Sequence, residues 1–194
     1  MTFNKNILDT YVISDTHFNH KNVIRYCDRP WCTNNVSHVR DVECPYCDIE
    51  KMNDDIISNW NSVVSDEDTV LHLGDYCFGN RKMAEDITNR LNGKIYLIRG
   101  NHDRGSKTLY ESCGITMVKP FYAEYSMGKR FLFNHKPNSI MLKDVIPVYG
   151  HWHNKSPFTW HMNGMTYFNV SVEVIDYKPI KLREILSIYE SLQV

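Results

Sequence analysis

Five short clusters along this chain bring together carboxylate, amide and imidazole side chains: Asp15-Thr16-His17, Gly74-Asp75, Gly100-Asn101-His102-Asp103, a solitary His135, and Gly150-His151-Trp152-His153. Mixed oxygen and imidazole donors suit Mn, Fe, Zn, Ni or Co. In extended backbone, residues two apart point the same way. Asp15 and His17 are therefore expected to face one ion, and His151 and His153 one cavity. A carboxylate such as Asp75 has two oxygens and can bridge two cations. The glycines ahead of Asp75, Asn101 and His151 allow sharp turns that bring loop backbone close to the ions.

These clusters need a scaffold, and each of four follows a short apolar run. Tyr11-Val12-Ile13 leads to Ser14-Asp15, and Thr69 to Leu73 leads to Gly74-Asp75. Lys94 to Ile98 leads to Gly100-Asn101, and Val145 to Tyr149 leads to Gly150-His151. Such runs read as strands buried on both faces, with functional groups at their C-terminal ends. Met52, Ile56, Trp60 and Val63, joined by Ile57 and Val64, recur at helical spacing. Met83, Ile87 and Leu91 form a second helical face, stopped by Gly93. A last helix follows Pro179 and carries Leu182, Ile185, Leu186 and Tyr189. Phe121 to Phe133 reads as a hairpin turning at Met127-Gly128, and Met165 to Val174 as a further β-rich stretch. The expected fold is an α/β sandwich, a core of mixed sheets with helices on its outer faces.

The ordered set DxH, GD, GNHD, a lone His and GHxH resembles the calcineurin-like metallophosphoesterase superfamily, from Thr10 to about Leu186. The tail Asn169-Val170-Ser171-Val172-Glu173, ahead of a Pro-led helix, is similar to the small bacterial and phage members. The resemblance implies a metallophosphoesterase-type β-sandwich. It implies one metal on Asp15, His17, Asp75 and His153, and a second on Asp75, Asn101, His135 and His151, with Asp75 as the bridge. Two cations roughly 3.5–4 Å apart can clamp the attacking and leaving oxygens of a phosphoryl group. The implied reaction is attack by a metal-bridging hydroxide on a phosphodiester or phosphomonoester. His102 is expected to be the general acid at the leaving oxygen, with Asp103 orienting it. His20 and Asn19, in the loop after the first cluster, are candidates for substrate contact or else solvated loop side chains, and Arg99, ahead of Gly100-Asn101, could meet a phosphate or form a surface ion pair. His72 reads as a packed strand histidine, and Trp152 as a residue that lines the cavity or packs under it.

The stretch 29–50 is different. It is rich in Pro, Asn, Cys and His and has little apolar periodicity, so it reads as an insertion within a single domain spanning 1–194. Cys32, His38, Cys44 and Cys47 give C-x5-H-x5-C-x2-C, a tetrahedral donor set for a structural zinc. Cys27 is the alternative fourth ligand. A metal would supply the stability that so few apolar residues cannot. Cys77 and Cys113 stand alone and read as buried thiols.

Composition sets the outer limits. Of 194 residues, 42% are hydrophobic and 23% charged, with a net charge of −1, as in ordinary globular proteins. That near-neutral charge argues against a broad nucleic-acid surface. Small phosphoesters, nucleotides and nucleic-acid ends are the expected substrates. No apolar run is long enough for a bilayer, and Met1 to Asp9 lacks the apolar core of a secretory signal. The expectation is a cytoplasmic enzyme carrying two divalent transition metals, drawn from Mn, Fe, Ni or Zn, and one structural zinc. A scaffold protein docking partners through the insertion would keep the fold without the ligands. All seven ligand types and His102 are present, which favours activity. A protein phosphatase ranks lower, because those members carry longer chains and extra arginines.

Overall fold

The computed structural model describes residues 6–33, 44–119, 121–137 and 144–193. The first sheet is built from β1 (Tyr11–Ile13), β2 (Thr69–His72), β3 (Lys94–Leu97), β4 (Thr116–Met117) and β10 (Ile180–Lys181), in the order β10-β1-β2-β3-β4. β1 to β4 run parallel, and β10 lies antiparallel to β1. The second sheet has the order β5-β6-β7-β9-β8, from β5 (Phe121–Ser126), β6 (Lys129–Asn134), β7 (Val145–Tyr149), β8 (Thr159–Met162) and β9 (Met165–Asn169). Its middle strands β6, β7 and β9 are parallel, and its outer pairs β5/β6 and β8/β9 are antiparallel.

Side-chain alternation explains why the parallel strands are apolar throughout. Tyr11 and Ile13 pack into one core with the helices, while Val12 between them packs into a core shared with the second sheet. Val70 and Leu71 divide the same way. Helix α2 (Ile49–Asn61) closes the outer face with fully buried Met52, Ile56 and Trp60, and its N-cap Asp48 accepts from Lys51 N–H at 2.9 Å. Phe131, Phe133, Ile146, Val148 and Phe168 line the inner core opposite Val12, Leu71 and Ile98. Helix α5 (Leu182–Ser191) adds Leu182, Ile185 and Leu186 to that core. The expected mixed-sheet sandwich with flanking helices is the observed fold.

Several boundaries differ from expectation. α3 (Arg81–Thr88) stops before Gly93; Thr88 turns its hydroxyl onto Ala84 O at 2.7 Å and meets the Tyr76 hydroxyl at 2.9 Å. The chain after Pro179 first pairs as β10 with Tyr11 and Val12, and only then enters α5. Met165 to Val174 divides into β9 and a 3-10 turn at Val172–Val174. Strands β4 and β8 and the short helices α1 (Val23–Tyr26) and α4 (Lys107–Ser112) have no periodicity long enough to register. The hairpin is as expected, with Met127 (φ 51°) and Gly128 (φ 76°) both left-handed at the turn.

Candidate active site

The five clusters converge where the C-terminal ends of the parallel strands of both sheets meet. Asp15 and His17 follow β1, Asp75 follows β2, Asn101 and His102 follow β3, His135 follows β6, and His151 and His153 follow β7. Backbone pairing across the two sheets sets their separation. Ser14 N–H donates to Val170 O at 2.8 Å, and Val172 N–H donates to Ser14 O at 3.0 Å. The backbone there is not the extended chain expected from the sequence. Asp15 (φ 59°), His17 (φ 48°), Asp75 (φ 56°), His151 (φ 73°) and His153 (φ 48°) all occupy the left-handed region. Such residues cost of order 1–3 kcal/mol each and persist where surroundings over-determine them. Asp15 and His17 do face one point, but by successive turns rather than by strand alternation. A Cβ at Gly100 would strike the Asp75 carboxylate, and one at Gly150 would strike Ser14 and the Asp15 carboxylate. These glycines serve close approach, as the sequence suggests.

The side chains form two adjoining groups. Asp15, His17 and His153 each bring a ligand atom within 4.8 Å of the others, and Asp75, His135 and His151 do the same. Asp75 Oδ2 stands between them, 3.5 Å from His17 Nε2 and 3.4 Å from His135 Nε2. The other oxygen, Oδ1, accepts the His102 backbone N–H at 2.7 Å. Asn101 Oδ1 lies 2.9 Å from His135 Nε2, whose ring holds Leu73 O through Nδ1 at 2.9 Å. Asp15 Oδ2 takes His151 N–H at 2.8 Å and the Ser171 hydroxyl at 3.0 Å, leaving Oδ1 3.8 Å from His153 Nε2.

Three buried polar atoms at the centre, Asp15 Oδ1 and both ring nitrogens of His17, have no hydrogen-bond partner. Buried groups of this kind are rare and call for a reason. A divalent cation fits the donor set. Burial, then the Arg29 guanidinium, holds His17 well below the ordinary imidazole value, in the neutral form a metal requires. Burial also pushes His151 down to about 4. Asp15 is raised by burial, against the opposing charges of His153 and His135. Asp75 is lowered despite burial, because His135 hydrogen-bonds to it and lends it positive charge, and His135 is raised in turn. Burial disfavours the charge on His153, but Cys27 and Glu173 hydrogen bonds and the Asp15 carboxylate carry it up to about 11.

Behind these groups lies support that the sequence analysis did not identify. Arg29 is 2% exposed, within a stretch read as insertion. Its guanidinium donates to Thr16 O at 2.8 Å, Asp15 O at 2.7 Å, and Glu173 Oε1 at 2.9 and 2.7 Å. That same oxygen of Glu173 is 2.9 Å from His153 Nδ1, which turns Nε2 toward Asp15. No local pattern marks Arg29, and Glu173 stood out only as the end of the Asn169–Glu173 tail. Asp103 also belongs to this support. Its Oδ2 accepts Asp75 N–H and Gly100 N–H, both at 2.7 Å, and its Oδ1 accepts Tyr76 N–H at 3.0 Å. No hydrogen bond joins it to the His102 ring among the described residues. Asp103 ties two loops together.

His102 is exposed at the edge of the site, its ring centroid 5.5 Å from that of His17. His20 stacks on Phe78 with centroids 3.9 Å apart at 10° and lies 5.3 Å from His17. Burial holds His20 at about 4. Asn19 is taken up by Asn53, which it meets at 3.1 and 2.7 Å. Arg99 is exposed, and its charge bears on Tyr110. His72 is fully buried, as expected of a packed strand histidine. Trp152 packs on Tyr149 and Trp160. The thiol of Cys27 groups with His153 and Glu173 and not with Cys32, Cys44 and Cys47. His38 lies outside the described residues. Cys113 is a buried thiol as expected, whereas Cys77 is only half-buried, its thiol raised by burial to about 12.

The similarities to known proteins follow the same outline. The description "calcineurin-like phosphoesterase" matches residues 8–188. The chain is 37% identical over 188 residues to the uncharacterized protein MJ1445 of Methanocaldococcus jannaschii, spanning 93% of this chain and 90% of that one. It is similar in structure to AQ665 of Aquifex aeolicus, a protein of unknown function, with a TM-score of 0.63 and 25% identity over 92% of this chain and 98% of that chain. No helix among the described residues is long and apolar enough to cross a membrane. The matched span takes in both sheets, all five clusters and Glu173, so the chain belongs to the calcineurin-like phosphoesterase family and is a phosphoesterase by that membership.

Proposed function

We propose that this protein hydrolyses phosphodiester bonds, and phosphomonoesters less well, in nucleotide-derived substrates at a dinuclear metal centre. Family membership implies divalent metals. The observation that carries the dinuclear reading is Asp75 Oδ2, about equally far from His17 Nε2 (3.5 Å) and His135 Nε2 (3.4 Å). One cation would take Asp15, His17, Asp75 and His153, and the other Asp75, Asn101, His135 and His151. Nitrogen and oxygen donors of this mixture favour Mn, Fe, Ni or Zn over Mg. When bound, two such cations supply Lewis-acid stabilisation of the phosphoryl oxygens and a water acidic enough to attack near neutral pH.

The remaining work falls to the chain. His102 protonates the leaving oxygen; its backbone is pinned to Asp75 Oδ1 and its ring is exposed toward the approaching ester. The His20–Phe78 stack, with exposed Tyr26 6.3 Å from His20, supports a nucleotide base beside the phosphate. Arg99, exposed one residue ahead of Gly100-Asn101, is the candidate to meet a second phosphate. A structural zinc on Cys32, Cys44 and Cys47, and a cytoplasmic setting in which those thiols stay reduced, complete this reading.

The test is a hydrolysis panel with Mn, Ni and Mg. It compares bis-p-nitrophenyl phosphate, p-nitrophenyl phosphate, cyclic nucleotides and short nucleic acids. The expected result is metal-dependent turnover, fastest on a diester and with Mn or Ni above Mg. No turnover of any ester with any metal would end the proposal.

A further inference from the structure

The thiol cluster and the catalytic centre share one short stretch of chain. Cys32 and Cys47 face each other across an antiparallel bridge. The Sγ atoms of Cys32, Cys44 and Cys47 all lie within 4.8 Å of one another, and Cys32 Sγ is 3.7 Å from Cys44 Sγ. None of these cysteines is in a disulfide. A disulfide requires sulfurs about 2.05 Å apart. Two thiolates on tetrahedral zinc, each with a bond of about 2.3 Å, sit about 3.8 Å apart. The 3.7 Å between Cys32 and Cys44 matches two thiolates on one zinc, and the Cys47 sulfur lies within reach of the same ion.

Three residues before Cys32, the same arm carries Arg29. Besides the bridge, the arm is held by Asp48 N–H on Trp31 O at 2.9 Å, Thr33 N–H on Tyr46 O at 3.2 Å, and the Trp31 indole on Asp55 at 2.6 Å. Arg29 in turn fixes the Asp15 and Thr16 carbonyls and the Glu173 carboxylate, and Glu173 fixes His153.

We propose that zinc bound by Cys32, Cys44 and Cys47 clasps this arm, so that Arg29 and Glu173 hold His153 in its ligating pose and the clasp sets the affinity of the catalytic centre for its metals. This rests on the dinuclear reading of Asp15, His17, Asp75 and His153 given above. Arg29 and Glu173 are positioning residues in this scheme.

The experiment uses the full chain and two probes. Cobalt(II) reports sulfur ligation by its thiolate charge-transfer absorption, and manganese(II), followed by electron paramagnetic resonance, reports the nitrogen–oxygen site. The wild type should show the thiolate band and bind manganese. Cys44→Ser should lose the band, lose one zinc per chain by elemental analysis, and bind manganese about 10- to 100-fold more weakly, the range seen when groups supporting a metal ligand are removed. Cys44→His, which keeps a zinc donor, should restore most of that affinity. Arg29→Met should weaken manganese binding to a similar extent with the band intact, which keeps the test valid if Cys44→Ser does not fold. Manganese affinity unchanged in either Cys44→Ser or Arg29→Met would overturn the coupling. A wild type without a thiolate band, with all three thiols free to react, would overturn the clasp itself. A wild type with the band but no manganese uptake would instead overturn the dinuclear reading, and the coupling with it, while leaving the clasp.

Discussion

Asp103→Asn separates two roles for the acidic residue beside His102. In the structure its carboxylate holds three backbone N–H groups, two on Oδ2 from Asp75 and Gly100 and one on Oδ1 from Tyr76. The Tyr110 hydroxyl adds a longer contact at 3.4 Å. Burial raises the carboxyl's pKa, and these backbone donors, which need acceptor oxygens, pull against that rise. Asparagine has the same shape but a single acceptor oxygen. Whichever way the amide turns, its NH2 confronts at least one backbone N–H. One or two hydrogen bonds to a charged acceptor are lost, at roughly 1.5–3 kcal/mol each. The expected loss of stability is about 2–4 kcal/mol, or about 5–15 °C in Tm for a chain of this size. Because the two loops carry Asp75 and Asn101, manganese binding should weaken as well. Denaturant unfolding and manganese titration measure both. If Asp103→Asn unfolded within about 0.5 kcal/mol of wild type and bound manganese normally while kcat fell, Asp103 would act on His102 and the scaffold role would be wrong.

Three further predictions concern other parts of the site. His102→Ala should lower kcat on diesters by about 10²- to 10⁴-fold, with a much smaller effect on esters of good leaving groups and with manganese stoichiometry unchanged; equal losses on both substrate types would remove its acid role. His72 accepts Gly74 N–H through Nδ1 at 3.1 Å and meets Thr16 Oγ1 through Nε2 at 3.0 Å, and burial lowers its pKa from 6.5 to about 3. It is neutral in the folded state while the unfolded chain takes up a proton below about 6.5, so stability falls as pH drops toward 3, by up to about 1.4 kcal/mol per pH unit. His72→Gln should flatten the fall in unfolding free energy between pH 7 and pH 5, and an unchanged slope would assign the acid sensitivity elsewhere. Gly150→Ala places a Cβ against Ser14 and the Asp15 carboxylate, and should cost about 1–3 kcal/mol and much of the manganese affinity; wild-type values for both would show that the loop can shift.

Much of the fold was legible because its strands are short apolar runs that end in polar clusters. Val145–Tyr149 matches β7 to the residue, and the Met52–Trp60 periodicity lies within α2. What escaped were elements of two to six residues, such as β4, β10, α1 and α4, which exist through pairing or packing with distant chain and not through local pattern.

The five clusters and their order are properties of the sequence alone, because donor chemistry belongs to residue types and the spacing of each cluster is local. The tertiary structure decided how they meet. Left-handed backbone at Asp15, His17, Asp75, His151 and His153 aims the side chains where an extended segment would not. It also made Asp103 a tie between loops, and drew Arg29 out of an apparent insertion into the support of His153. Those roles depend on contacts across 28, 144 and 20 positions of sequence, and no local spacing encodes a contact of that range.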